Sequence, residues 1–337
     1  MNIKELVNLK PFHTFHLNVY SRYFLEFFSL EELKEGLSFA KSYQVYSLIL
    51  GGGSNVLFTK NFEGLVLKNC IKGYEVIKED KNYVWLKVNS GENWHKLVET
   101  CVKQRWYGIE NLALIPGTVG AAPIQNIGAY GAEIQDVLVS LEALHLETKE
   151  IHSFLHSDCD FGYRDSVFKR KYKNQYVIIS VTLKLSKKPI LNYSYKDVKT
   201  FLEHNQWEPS IETLFNAVVA IRKEKLPDPE VIGNAGSFFK NPIISSDCFH
   251  KIQKNFPSIP FYPLENNLFK IPAAWLIEQC GWKGYKKEDF GVHSKQALVL
   301  VNYGNAKGSE IYNLAKKVME SVKEKFEVEL EPEVNIL

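Results

Sequence analysis

The sequence predicts an α+β protein of three domains. Three observations carry that expectation. A helix, a buried strand and a glycine turn follow one another between Ser29 and Gly53, strand-rich segments fill the middle of the chain, and a long amphipathic helix near the C-terminus leads into an alternating run. At 337 residues the chain is also long for one core, since a domain takes about 150 residues.

Ser29-Leu30-Glu31-Glu32 is a capping-box pattern, and the helix it opens puts Leu30, Leu33, Leu37 and Ala40 on one face. Val45 to Leu50 reads as a buried strand running into Gly51-Gly52-Gly53, a strand end of the kind where ligands bind. Asn93 is suited to cap a helix carrying Trp94, Leu97, Val98, Cys101 and Val102. From about Val137 to Leu185 the chain reads as short strands and turns, ending in the β-branched run Tyr176 to Leu185. Composition shifts at Ser186-Lys187-Lys188-Pro189. A helix is expected over Ile211 to Lys223, stopped by Pro227 and Pro229, and another between a first-turn Pro272 and a closing Gly281. Ile311, Leu314, Ala315, Val318, Met319 and Val322 line the last helix, and Phe326, Val328 and Leu330 alternate as a strand.

Apolar residues at 45% and charged residues at 24% describe a globular chain, not a disordered or fibrous one. A net charge of +2 provides no broad field for nucleic acid or an anionic membrane, so anion recognition has to be local. The five cysteines form no CxxC pair and are odd in number, and the histidines show no metal spacing, so no metal site is expected and a reducing cytoplasm is. Met1-Asn2-Ile3-Lys4-Glu5-Leu6 carries no basic segment ahead of an apolar one, and no run is apolar enough to span a bilayer.

Two stretches, Gly51 to Phe58 and Gly108 to Gly131, hold 8 of the 20 glycines. Glycine reaches positive φ and leaves its N–H uncovered, so such crowding implies a backbone brought very close to something, with phosphate and ring contacts in view. The triple glycine is neither a P-loop nor GxGxxG, because no Gly-Lys-Ser/Thr follows and Ser54 and Asn55 hold the later places. The second stretch, Ile115 to Gly131, is almost uncharged and aperiodic, which suits an ordered loop wrapping a large flat cofactor.

Five motifs together are specific. Gly51 to Leu57, Ile115 to Gly131, Tyr163-Arg164-Asp165-Ser166, Gly233 to Pro242 and Leu330-Glu331-Pro332-Glu333-Val334 resemble, in order, those of the UDP-N-acetylenolpyruvoylglucosamine reductase family of bacterial peptidoglycan precursor synthesis. The resemblance spans about Lys10 to Leu337 and includes a Tyr-bearing loop near residues 190–198 that marks the longer form of the family. It implies non-covalent FAD held by a pair of vanillyl-alcohol-oxidase-type domains, 1–69 completed by 327–337 and 70–211, with a substrate domain at 212–326. NADPH is the implied electron donor and UDP-N-acetylglucosamine enolpyruvate the acceptor, in a monomer acting on small molecules.

Flavin contacts are implied at Gly51, Gly52, Gly53, Ser54 and Asn55, and along Ile115, Pro116, Gly117, Thr118, Gly120, Gln125, Asn126, Gly128, Ala129 and Tyr130. Arg222 is expected to face the flavin pocket. Hydride addition to an enolpyruvyl ether pushes charge towards its carboxylate, so the site needs a cation or donor there and a proton source. The resemblance assigns the proton to Ser237, carboxylate or enolate pairing to Arg164, and enol stabilisation to Glu333, which must keep its proton to donate. Asp165 is expected to anchor the neighbouring backbone or the guanidinium. Tyr163, Tyr193, Lys225, Asn241 and Gln296 are the implied substrate contacts, with Tyr195 an alternative to Tyr193 on the same extended face.

Two residues depart from the family pattern: His13 stands where asparagine is usual, and Asn335 where arginine is common. Each is expected to have a modest effect on packing or domain closure and not on the reaction. Two alternatives stay open. Another flavoenzyme of the same fold should carry a covalent His or Cys attachment, and none lies in Gly108 to Gly131, although His95 and Cys101 are near. A non-catalytic nucleotide-binding homologue should have lost Ser237, Arg164 or Glu333, and all three are present.

Overall fold

Local signals decide most elements of the computed structural model, which describes residues 2–337 and so leaves Met1 of the opening segment outside the described residues. The chain divides into two units. The first comprises the N-terminal residues up to Val7, Ser21–Gly52 and Glu63–Glu224; the second comprises Asn8–Tyr20, Gly53–Phe62 and Lys225–Leu337.

Among its described residues the first unit has two large sheets, a small one pairing Gly128–Ala129 with Ala132–Glu133, and a hydrophobic core against each large sheet. One sheet runs in the order Lys4–Asn8, Tyr20–Phe27, Phe62–Asn69 and Ser47–Leu50, its last two strands parallel. The helix Leu30–Ser42 makes the forward half of its capping box, Ser29 Oγ accepting from the Glu32 N–H at 3.2 Å, while the Glu32 carboxylate reaches one residue further back and accepts from the Phe28 N–H at 2.6 Å. Its buried Leu33, Leu37 and Ala40 join Tyr23, Leu25, Phe27, Leu65 and Leu67 in one core. The other sheet is antiparallel throughout, in the order Ile151–Leu155, Leu138–His145, Tyr176–Ser186, Tyr83–Asn89 and Tyr74–Glu79. The helix Trp94–Lys103, capped by Asn93 through the Lys96 N–H at 2.9 Å, buries all five of its expected apolar residues in the second core. The helix Ile211–Lys225 runs two residues past its expected end and stops just short of Leu226-Pro227, because proline disfavours α geometry in the residue before it.

The second unit builds its main sheet from Gly233–Ser237, Val299–Asn302, Phe290–Val292 and Lys286–Lys287, in that order. Smaller sheets join Ile243–Ser245, Leu268–Lys270 and Tyr262–Pro263, and pair Val56–Leu57 in parallel with Asn335–Ile336. One expectation is corrected here. Phe326 is the last residue of the helix Gly308–Phe326, Glu327 turns left-handed at φ +58°, and no strand covers the described residues 327–330. Val328 and Leu330 are nevertheless buried in alternation. Period two reports which side chains are covered; it does not by itself supply a partner for the backbone.

His13 sits in the second unit, 2% exposed, edge-on to the Phe58 ring at 5.2 Å between centroids. Its Nε2 donates to the Leu17 carbonyl at 3.2 Å, and its Nδ1 has no partner among the described residues. Burial, with His16 adding to it and the Leu17 bond opposing it, lowers its pKa from 6.5 to about 4. The folded chain therefore holds a neutral imidazole that the unfolded chain protonates below pH 6.5, so stability falls between pH 6.5 and 4. The loss is at most about 3 kcal/mol. Urea unfolding at pH 7.5 and 4.5 should show this drop, and His13→Asn should lose distinctly less over the same interval.

Candidate active site

In the first unit the two glycine stretches meet each other. A Cβ on Gly52 would stand 2.7 Å from Gly117 Cα, and one on Gly51 would stand 2.6 Å from Thr118 Oγ1. Gly120 is closed in by Ser90, whose Cβ is 2.4 Å from the place a side chain would start, and its N–H donates to the Ser90 carbonyl at 2.9 Å. Much of the close approach that the glycines signal is therefore chain against chain. The Gly117 carbonyl accepts from the Trp94 N–H at 3.1 Å, so the helix start and the loop are built as one piece.

The end of the second stretch gathers Arg164 and Arg222. Arg164, itself left-handed at φ +53°, donates through Nη2 to the Gly128 carbonyl at 2.5 Å and lies 3.7 Å from the Glu133 carboxylate and over the Tyr163 ring. Space at Gly128 is tight, since a Cβ there would come 2.8 Å from Arg164 Nη1 and from Glu133 Cγ and 3.0 Å from the Ala132 carbonyl oxygen. Asn126, buried at φ +45°, donates to Glu133 Oε2 at 2.7 Å and to the Gly162 carbonyl at 3.1 Å. Asp165 accepts from the Ser166 N–H and pairs with Arg170. Tyr130 hydrogen-bonds Arg222 and meets the Tyr195 ring edge-on at 5.4 Å. Tyr193 is 40% exposed.

Neither Asn111 nor Glu133 was marked by any motif. Asn111 donates to the Tyr130 carbonyl at 2.8 Å and the Asn192 carbonyl at 2.7 Å, fastening the glycine loop to the Tyr-bearing segment. A single amide ahead of an uncharged loop is too weak a sequence signal to be found beforehand.

In the second unit, Gly53 is pressed against Phe12 and His13 at φ +64°. Asn55 donates to the Glu333 carbonyl at 3.3 Å, and its own carbonyl accepts from the Asn335 backbone at 3.1 Å and side chain at 3.0 Å, so the unusual Asn335 acts as a fastener. The pairing of Gly233–Ser237 with Val299–Asn302 is irregular between Asn234 and Ser237, and Gly236 lies inside that bulge at φ +68° with no atom within 4 Å of a notional Cβ. Bulges re-aim side chains. Here the exposed Ser237 hydroxyl makes no hydrogen bond among the described residues, unlike a turn serine satisfied by its own backbone. Phe239 bridges Pro332, with the Glu333 N–H donating to the Phe238 carbonyl at 2.8 Å, so Ser237 and Glu333 flank one short stretch of pairing. Asn241 caps the helix Ala273–Gln279 through the Ala273 N–H at 2.9 Å, and Gln296 accepts from the Leu298 N–H at 3.3 Å. Lys225 ends the helix Ile211–Lys225. Ser54 follows the triple glycine, and Ile115, Pro116, Gln125 and Ala129 lie along the second stretch, where Ala129 pairs with Ala132.

The first unit fits a flavin dinucleotide on an observation of its own. Burial weighs most on Arg222 and acts against its charge; Tyr130 favours the charge and Arg164 opposes it. A guanidinium keeps its proton, yet Arg222 Nε is buried with no partner among the described residues. A buried cation with an idle donor calls for an acceptor. Covalent attachment finds no support nearby: His95 Nδ1 is occupied by the Leu114 N–H at 3.0 Å, and burial pushes the Cys101 thiol up to about 12.

Residues 22–153 match an FAD binding domain, and residues 228–337 match the UDP-N-acetylenolpyruvoylglucosamine reductase C-terminal domain. A UDP-N-acetylenolpyruvoylglucosamine reductase of Amoebophilus asiaticus is 48% identical over 338 residues, covering 100% of both chains. This chain belongs to the UDP-N-acetylenolpyruvoylglucosamine reductase family. The Flavobacterium johnsoniae reductase is 47% identical with the same coverage. The crystal structure of the Thermus caldophilus reductase superposes with a TM-score of 0.70 at 22% identity, covering 100% of this chain and 99% of that one. p-Cresol methylhydroxylase shares the fold at a TM-score of 0.51 and 10% identity, over 98% of this chain and 84% of that one. As a member of the reductase family the chain is an FAD-dependent oxidoreductase of α+β fold that acts on small molecules. No described helix is long and apolar enough to cross a membrane.

Proposed function

We propose that this chain carries out its family's reaction, the NADPH-dependent reduction of UDP-N-acetylglucosamine enolpyruvate to UDP-N-acetylmuramate for peptidoglycan, with Ser237 as proton donor. Bound FAD supplies the hydride. Ser237 delivers the proton to the carbon that becomes electron-rich, and Glu333, keeping its own proton, donates to the enol oxygen. Arg164 pairs with the substrate carboxylate, where a planar guanidinium matches two oxygens. Tyr163, Tyr193, Lys225, Asn241 and Gln296 hold the rest of the sugar nucleotide, Lys225 as a point charge for phosphate.

The observation that carries this proposal is the unbonded, exposed Ser237 hydroxyl beside a bulge, with Glu333 hydrogen-bonded to the adjoining Phe238. We further propose the three-domain division at 1–69 with 327–337, 70–211 and 212–326, and a cytoplasmic monomer. Anaerobic half-reactions test the function: NADPH should bleach the bound flavin, and UDP-N-acetylglucosamine enolpyruvate should restore its colour. A flavin that NADPH bleaches but that this acceptor leaves reduced would overturn the assignment of substrate.

A further inference from the structure

One cation of the first unit, outside every residue assigned above, is aimed at the glycine turn. Lys68 lies near the end of the strand Phe62–Asn69, in parallel register with Leu50. Its half-buried ammonium donates to the Gly51 carbonyl at 2.5 Å, its one hydrogen bond among the described residues. An ammonium carries three donors, so the half-buried Lys68, with one neutral partner, keeps donors beyond the one that holds Gly51. Burial lowers its proton affinity; Cys70 and Glu26 favour its charge, and Lys72 opposes it.

A peptide group is planar and trans, so its C=O and N–H point in opposite directions. With the Gly51 carbonyl drawn to Lys68, the Gly52 N–H is turned to the far side of the turn. That N–H donates to nothing among the described residues. The turn cannot relax by sliding, because Gly52 is packed on Gly117 and Gly51 on Thr118. A glycine turn held on one side by a cation and on another by a second loop, with a donor facing out, is built to receive an anion.

We propose that Lys68 is a positioning residue for the diphosphate of FAD: its bond to Gly51 sets the peptide plane that presents the Gly52 N–H to a phosphate oxygen. The proposal rests on the assignment of Gly51 and Gly52 to the flavin. A lysine that only covered the strand end would matter to folding and not to the cofactor.

The test uses the full-length holoenzyme with Lys68→Met and Lys68→Arg. The FAD dissociation constant is read from flavin fluorescence released on dilution, and the diphosphate environment from the phosphorus NMR of bound FAD. Lys68→Met should weaken FAD by about tenfold or more, the scale of a lost charged hydrogen bond. It should also move the phosphorus resonances while the visible flavin bands stay in place, and Lys68→Arg should restore most of the affinity. Wild-type affinity and unmoved resonances in Lys68→Met would overturn the proposal, as would Met and Arg variants that are equally weak. A wild-type chain that binds FAD with its diphosphate resonances unperturbed from those of free FAD would instead bring down the flavin assignment of the turn.

Discussion

Ser237→Ala should leave reduction of the flavin by NADPH nearly unchanged and slow its reoxidation by the sugar nucleotide by about 10²–10⁴-fold, the usual share of a positioned acid. The split between the two half-reactions is the informative part. The hydroxyl is exposed and bonds nothing among the described residues, so its removal takes away no structural hydrogen bond. Rapid-mixing absorbance of the flavin in each half-reaction measures it. Equal loss in both would assign the serine to folding or cofactor retention. Cysteine at 237 should recover part of the rate, since a thiol can also donate a proton.

Gly53→Ala should be the most damaging single methyl group in the molecule's candidate site. A Cβ there would lie 2.1 Å from the Phe12 carbonyl oxygen and 2.6 Å from His13 Cα, so backbone has to move. Positive φ adds a further penalty, and together strain and overpacking come to about 3–5 kcal/mol. Against a total stability of about 5–15 kcal/mol, that separates a folded protein from a marginal one. Gly236→Ala is the control: its φ is also positive, at +68°, but open space surrounds the position, so only the conformational cost of about 1–2 kcal/mol applies. Urea midpoints should order the proteins as wild type, Gly236→Ala, then Gly53→Ala. Equal losses would show that conformation and not collision dominates at both turns.

Much of the architecture was legible in the sequence because its signals are local. Ser29 and Asn93 were read as helix caps from their position ahead of apolar periodicity, and both side chains accept the N–H groups that cap chemistry requires. The strand read into Phe326, Val328 and Leu330 failed for the complementary reason: alternation records burial, while a strand needs a neighbour that a one-dimensional pattern does not contain. The glycines were legible as sites of close approach, but not for what they approach. Gly52 meets Gly117 and Gly120 meets Ser90, partners that only folding selects.

By itself the sequence determined the class of fold, the cap and core residues, and, through five ordered motifs, the family and its flavin chemistry. Tertiary structure alone decided that Glu333 is hydrogen-bonded to Phe238 beside Ser237, that Asn335 fastens Asn55, that Asn111 ties two loops together and that Lys68 holds the Gly51 carbonyl. Caps and periodicity act over a few residues, where the chain's own geometry fixes who meets whom. Contacts between residues as far apart as Asn55 and Glu333 are set by how whole elements pack, and packing depends on every core side chain at once.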